Sequence, residues 1–135
     1  MIAVDTSALV AIVLNEPERG AFRARLRTAT KALISSASII EARMVIHSRL
    51  GAPGVALLED LMRLSVFEVV PPGEPEIEAA FTAFLVYGKG SGHPAAVNFG
   101  DLFSYALAKV RNVPLLFKGD DFARTDIAPA LAPSR

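Results

Sequence analysis

Met1-Ile-Ala-Val-Asp-Thr-Ser-Ala-Leu-Val-Ala-Ile-Val-Leu14 opens the chain, and its pattern governs how the remainder reads. Ile2 to Val4 is a short apolar run with β-branched residues that stops at Asp5-Thr-Ser7. Ala8 to Leu14 is then apolar all round until Asn15-Glu-Pro17 breaks it. The pattern predicts a strand followed by a buried helix, with Thr6 or Ser7 able to cap the helix. An unpaired acid between two apolar elements is expensive, so Asp5 stands out as a candidate for chemistry. Its plain alternative is to begin a turn or cap the helix.

The same alternation continues. A second helix starts near Pro17, since proline suits a first helical turn, and carries Arg19, Arg23, Arg25, Arg27 and Lys31 with no acid after Glu18. That run reads as a solvated face. Ala32 to Ile34 is a second strand, and helices follow over Ile39 to Leu50, ending at Gly51-Ala-Pro-Gly54, and over Val55 to Leu64. Val66 to Val70 is a strand; Glu74 to Tyr87 is a helix with an acidic first turn that suits the positive end of its dipole. Gly88-Lys-Gly-Ser-Gly-His-Pro94 is a loop, Asp101 to Val110 a helix and Pro114 to Phe117 a strand, with a further short strand expected around Ile127. Short strands alternating with helices point to an α/β architecture with a mostly parallel sheet. Ligands of such sheets collect at the carboxyl ends of the strands.

Composition narrows the classes. A chain of 135 residues is expected to form one domain, residues 1–135. Hydrophobic residues make up 52% of it, above the usual ~45–50%, which excludes disorder. With no cysteine there is no disulfide scaffold, thiolate zinc site or cysteine nucleophile. Only His47 and His93 supply imidazole, and His47 reads as a partly buried packing residue. No basic leader precedes Asp5, and Ala8 to Leu14 falls far short of the ~20 apolar residues of a membrane span. The expectation is a soluble cytoplasmic protein without a membrane partner. Lys+Arg and Asp+Glu balance at 14 each, which argues against a protein that merely coats nucleic acid but allows separate acidic and basic patches.

Asp5, Glu41, Asp101 and the pair Asp120/Asp121 all fall where a parallel sheet would bring them to one edge. Clustered carboxylates raise one another's pKa unless a cation sits among them, and hard oxygen donors favour Mg²⁺ or Mn²⁺ over zinc. Such a site would activate water and steady the charge on a phosphoryl group. Bland readings stand beside this one. Ser38-Ile-Ile-Glu41 fits a capping box, and Asn98-Phe-Gly-Asp101 is a weaker relative of it.

Ile2-Ala-Val-Asp-Thr-Ser-Ala8 resembles the opening of PIN-domain ribonucleases, and Ser36-Ala-Ser-Ile-Ile-Glu-Ala42 resembles their second acidic motif. Tyr87 to Ala95, then Asn98-Phe-Gly-Asp-Leu-Phe-Ser-Tyr-Ala-Leu-Ala108, and finally Leu115 to Phe122 with Thr125-Asp-Ile127, complete a pattern similar to the VapC toxin branch. The resemblance runs from Met1 to about Ile127. It implies a three-layer α/β/α fold and a metal-dependent endoribonuclease that inhibits growth as the toxin of a toxin–antitoxin pair. It also implies that Asp5, Glu41 and Asp101 hold Mg²⁺ or Mn²⁺. Ser7 would support the surrounding waters, and Glu41 or Asp121 would orient the attacking water. The family's fourth acid often stands where this chain has Gly119, leaving Asp120 and Asp121, of which Asp121 beside Phe122 is preferred. Lys89 and His93 flank the glycine loop, and Lys118 and Arg124 bracket the last acidic turn, placed to receive RNA phosphates. A VapB-like antitoxin and a homodimer are the implied protein partners, and the Arg19–Lys31 run offers the antitoxin an alternative seat. A non-catalytic PIN-like module binding RNA or protein is the competing reading; it would be favoured had any of Asp5, Glu41 or Asp101 been lost. Dehalogenase-type phosphatases are disfavoured because position 7 is Ser rather than a second acid.

Overall fold

A computed structural model describes residues 1–132. The apolar runs become β1 (Ile2–Val4), β2 (Ala32–Ser35), β3 (Phe67–Val70) and β4 (Leu115–Leu116). Between them lie α1 (Thr6–Val13), α2 (Arg19–Thr28), α3 (Ser36–Met62), α4 (Glu74–Tyr87) and α5 (Phe99–Arg111). The strands form one sheet in the order β3-β2-β1-β4, and every pairing is parallel. Parallel neighbours need long crossovers, and here helices supply each of them.

Strand alternation builds two cores. Ile2, Val4, Ala32, Ile34 and Leu116 face Leu9, Ile12, Phe22, Leu26, Ile46 and Leu58 of α1, α2 and α3. Ala3, Leu33 and Leu115 face the opposite side, against Ala83 of α4 and Tyr105, Leu107 and Ala108 of α5. The result is the expected three layers, helix–sheet–helix. Central strands buried on both faces read as continuous apolar runs rather than alternating ones.

Local details depart from the sequence reading. Of the caps the sequence offers for α1, it is Asp5, in its alternative role, rather than Thr6 or Ser7 that serves: its side chain accepts from the Ser7 N–H at 3.0 Å. Helix α3 leaves β2 directly, so Ser35 is its cap, accepting from Ala37 N–H at 3.3 Å. Ser38 therefore lies inside the helix and the Ser38–Glu41 capping box does not form. The two helices expected on either side of Gly51 are both present within the span α3, where Gly51 is non-helical at φ 67° and ψ −159° and kinks the chain between them. His47 is exposed rather than packed, because the buried side of α3 here is the Ala42–Ile46 row and His47 lies about 100° around from it. The added strand near the end sits two residues beyond Ile127: Leu115 pairs in parallel with Pro129, while Ile127 is buried in the second core. No described helix is long and apolar enough to cross a membrane.

Candidate active site at the carboxyl edge of the sheet

From β1 the chain moves outward to β2 and β3, then returns through α4 and α5 to β4 on the other side of β1. The order reverses at β1/β4, the place where open parallel sheets form a crevice at their carboxyl ends. Two hydrogen bonds join those ends. Asp5 N–H donates to Leu116 O at 3.0 Å, and Lys118 N–H donates to Ser7 Oγ at 2.9 Å.

Asp5 is 4% exposed and both its carboxylate oxygens are engaged. One accepts from Ser7 N–H, and the other accepts the hydroxyl of Ser104 on α5. Ser104 Oγ lies 3.3 Å from Ser38 Oγ, and the Thr6 hydroxyl donates to Ser38 O at 3.0 Å. Small buried polar groups thus tie β1, α3 and α5 together around the first acid. Sequence reasoning missed Ser38 and Ser104. The available signal was Asp101-x-x-Ser104, a spacing that puts both side chains on one helix face.

Asp101 sits in the first turn of α5 and does make the reciprocal box with its cap. Asn98 Oδ1 accepts from Asp101 N–H at 2.9 Å, and Asp101 Oδ2 accepts from Asn98 N–H at 3.0 Å. Burial, then the charges of Asp5, Asp121 and Glu41, push the Asp101 carboxyl up to about 6, against the pull of the Asn98 backbone bond. Glu41 reaches this turn from α3: a Cβ placed on Gly100 would stand 2.7 Å from its Cδ. Asp5, Glu41, Asp101 and Asp121 therefore act in one electrostatic field. Asp120 does not figure among the charges on Asp101; it lines a cleft of about 690 Å³ with Phe22, Phe117 and Leu131.

The acids do not form a ready cage. Among the described residues, no three His, Cys, Asp or Glu side chains stand close enough to enclose an ion as they are placed. Asp5 and Asp101 give carboxylate oxygens to N–H and O–H donors instead.

The basic residues are more tied down than expected. Lys118 Nζ pairs with Glu16 at 3.3 Å and Glu18 at 3.0 Å. Arg124 donates to Pro94 O at 3.1 Å. His93 Nδ1 accepts from Ala95 N–H at 3.0 Å, and its ring meets Tyr87 edge-on at 4.8 Å. Lys89 is exposed on the glycine loop. The α2 arginines are not simply solvated either: Arg25 Nε donates to Ala130 O at 2.6 Å, and Arg19, Arg23 and Arg27 border clefts floored by Leu61 and Leu64.

The PIN domain model matches residues 2–128. Ribonuclease VapC30 of Mycobacterium tuberculosis H37Rv is 42% identical over 132 residues, spanning 98% of this chain and 100% of the relative. Ribonuclease VapC of Mycolicibacterium smegmatis is 42% identical over 127 residues, spanning 94% and 98%. Among solved structures, Mycobacterium tuberculosis VapC20, a sarcin–ricin loop cleaving toxin, superposes with a TM-score of 0.79 at 16% identity, covering 98% of this chain and 100% of that one. VapBC2 from Rickettsia felis gives 0.74 at 15% identity, with 96% of each chain covered. At those identities the structural likeness speaks for the fold, and the sequence relatives speak for the branch. The chain belongs to the PIN-domain family, among the VapC ribonucleases.

Proposed function

We propose that the protein is a Mg²⁺- or Mn²⁺-dependent endoribonuclease, the toxin of a VapB–VapC-type pair, working on RNA in the cytoplasm. The observation that carries this reading is the meeting of acids at the first turn of α5, where the Glu41 carboxyl reaches Gly100 beside Asp101, whose own carboxyl is pushed up by burial first and then by the charges of Asp5, Asp121 and Glu41. Four carboxylates with no thiol or imidazole among them suit a hard dication in their chemistry. Asp5, Glu41 and Asp101 would hold the ion, with Asp121 as the fourth acid. A bound dication would offset this charge, acidify water and neutralise the phosphoryl group under attack.

The chain's own residues prepare the rest. Ser104 and the Ser7 N–H hold Asp5 in one orientation. Asp101 is anchored by its cap, so Glu41 or Asp121 is suited to orient the attacking water and accept its proton. Lys89 offers the exposed charge for a phosphate, with His93 and Arg124 shaping the loop beside it; Lys118 shares its charge with Glu16 and Glu18 and contributes less.

Arg19, Arg23 and Arg27, four apart on α2, overlook clefts lined by Leu57, Leu61 and Leu64, which suits the acidic, apolar tail of an antitoxin. Exposed Ile77, Phe81 and Leu85 on α4 suit a second copy of the chain. A non-catalytic binding module is not favoured, since all four acids are present and share one field.

The test is mapping of cellular RNA 5′ ends after brief induction, wild type against Asp101→Asn. Discrete cuts in the wild type alone are expected; unchanged ends in both would move the reading to a binding module. Cleavage by Asp5→Asn that persists in EDTA would remove the metal from the mechanism.

A further inference from the structure

Gly100 has no backbone reason to be glycine. It lies in the first turn of α5, outside the positive-φ region that Gly51, Gly90, Gly92 and Gly119 occupy. Glycine is a poorer helix residue than alanine, so nothing in the helix itself favours it here. What the missing side chain provides is space for one group. A Cβ at Gly100 would overlap Glu41 Oε2 outright and stand 2.7 Å from Cδ and 2.8 Å from Oε1. All three nearest atoms belong to the Glu41 carboxyl.

We propose that Gly100 is a positioning residue: its bare Cα admits the Glu41 carboxylate from α3 to the first turn of α5, next to Asp101. This deepens the metal-dependent reading above and rests on it. Glu41 comes from a different helix, and its long side chain has rotamers that point away. An alanine would exclude the carboxylate from this turn and break up the acidic set without unfolding anything.

The experiment is a double-mutant cycle read by Mn²⁺ affinity, with free Mn²⁺ counted by electron paramagnetic resonance. Gly100→Ala is expected to weaken Mn²⁺ by about 10–100-fold, the scale of disturbing a metal site's support, with its circular dichroism unchanged. In a Glu41→Ala background the same substitution is expected to change nothing further. An equal loss in both backgrounds, or no loss in the native chain, overturns the proposal and leaves the ribonuclease reading intact. Failure of the wild type to bind Mn²⁺ overturns that reading and the role of Gly100 with it. If Gly100→Ala alone does not fold, recovery of folding in Gly100→Ala/Glu41→Ala supports the contact, and continued failure of the double variant overturns it.

Discussion

Asp5 does two jobs with one carboxylate, capping α1 through the Ser7 N–H and receiving the Ser104 hydroxyl across the core. Ser104→Ala leaves a buried carboxylate oxygen without its donor. The expected cost is about 1–3 kcal/mol of stability, measured by urea unfolding, together with a loss of RNA cleavage as Asp5 loses its fixed orientation. Asp101 makes a pH prediction. Its carboxyl titrates at about 6 in the fold against 3.8 in a free chain, so between those values the folded state holds the extra proton. Stability of the metal-free protein through this group is therefore present at low pH and lost as pH rises through about 6. Asp101→Asn should flatten that slope in unfolding curves. A slope of the same size in the variant would assign it to another group.

At the scale of elements, helix α3 shows what was legible and what was not. Its apolar spacing was plain, but its start was displaced by three residues, because Ser35, Ser36 and Ser38 all look like caps. The cap is the serine that ends β2, with no turn residue between strand and helix. Ser38 is then buried by α5 docking, a long-range event that local spacing does not record. The same limit hid Ser104, whose partner lies 99 residues away. By contrast the Asn98–Asp101 capping box and the strand pattern were readable because each depends on its own neighbours along the chain. The bend in α3 makes a separate prediction. Gly51 occupies backbone space essentially reserved for glycine, so Gly51→Ala should cost about 1–3 kcal/mol. Thermal unfolding checks the loss, and RNA cleavage below the melting transition should be unchanged, since the bend is far along α3 from Glu41.

The whole molecule distributes its balanced charge unevenly. Acids gather at the carboxyl edge of the sheet, while arginines line α2 on the side of the first core. A third surface is apolar: Ile77, Phe81 and Leu85 are 61, 60 and 61% exposed and form one stripe four residues apart along α4. If a second copy covers that stripe, Phe81→Glu should give a folded monomer by light scattering while the wild type runs as a dimer. A wild type that stays monomeric would leave the stripe to another partner. The α2 surface separates from both. Reversing Arg23 and Arg27 to Glu places like charge against an acidic antitoxin tail and is expected to weaken its binding by about tenfold at low salt. Because charge sets this contact, the deficit should shrink as ionic strength rises and the Debye length contracts to about 8 Å or less. Cleavage of RNA by the isolated variant should match wild type, since neither arginine touches the acidic edge. A salt-independent deficit would mean that the arginines act through packing over Leu61 and Leu64 rather than through charge.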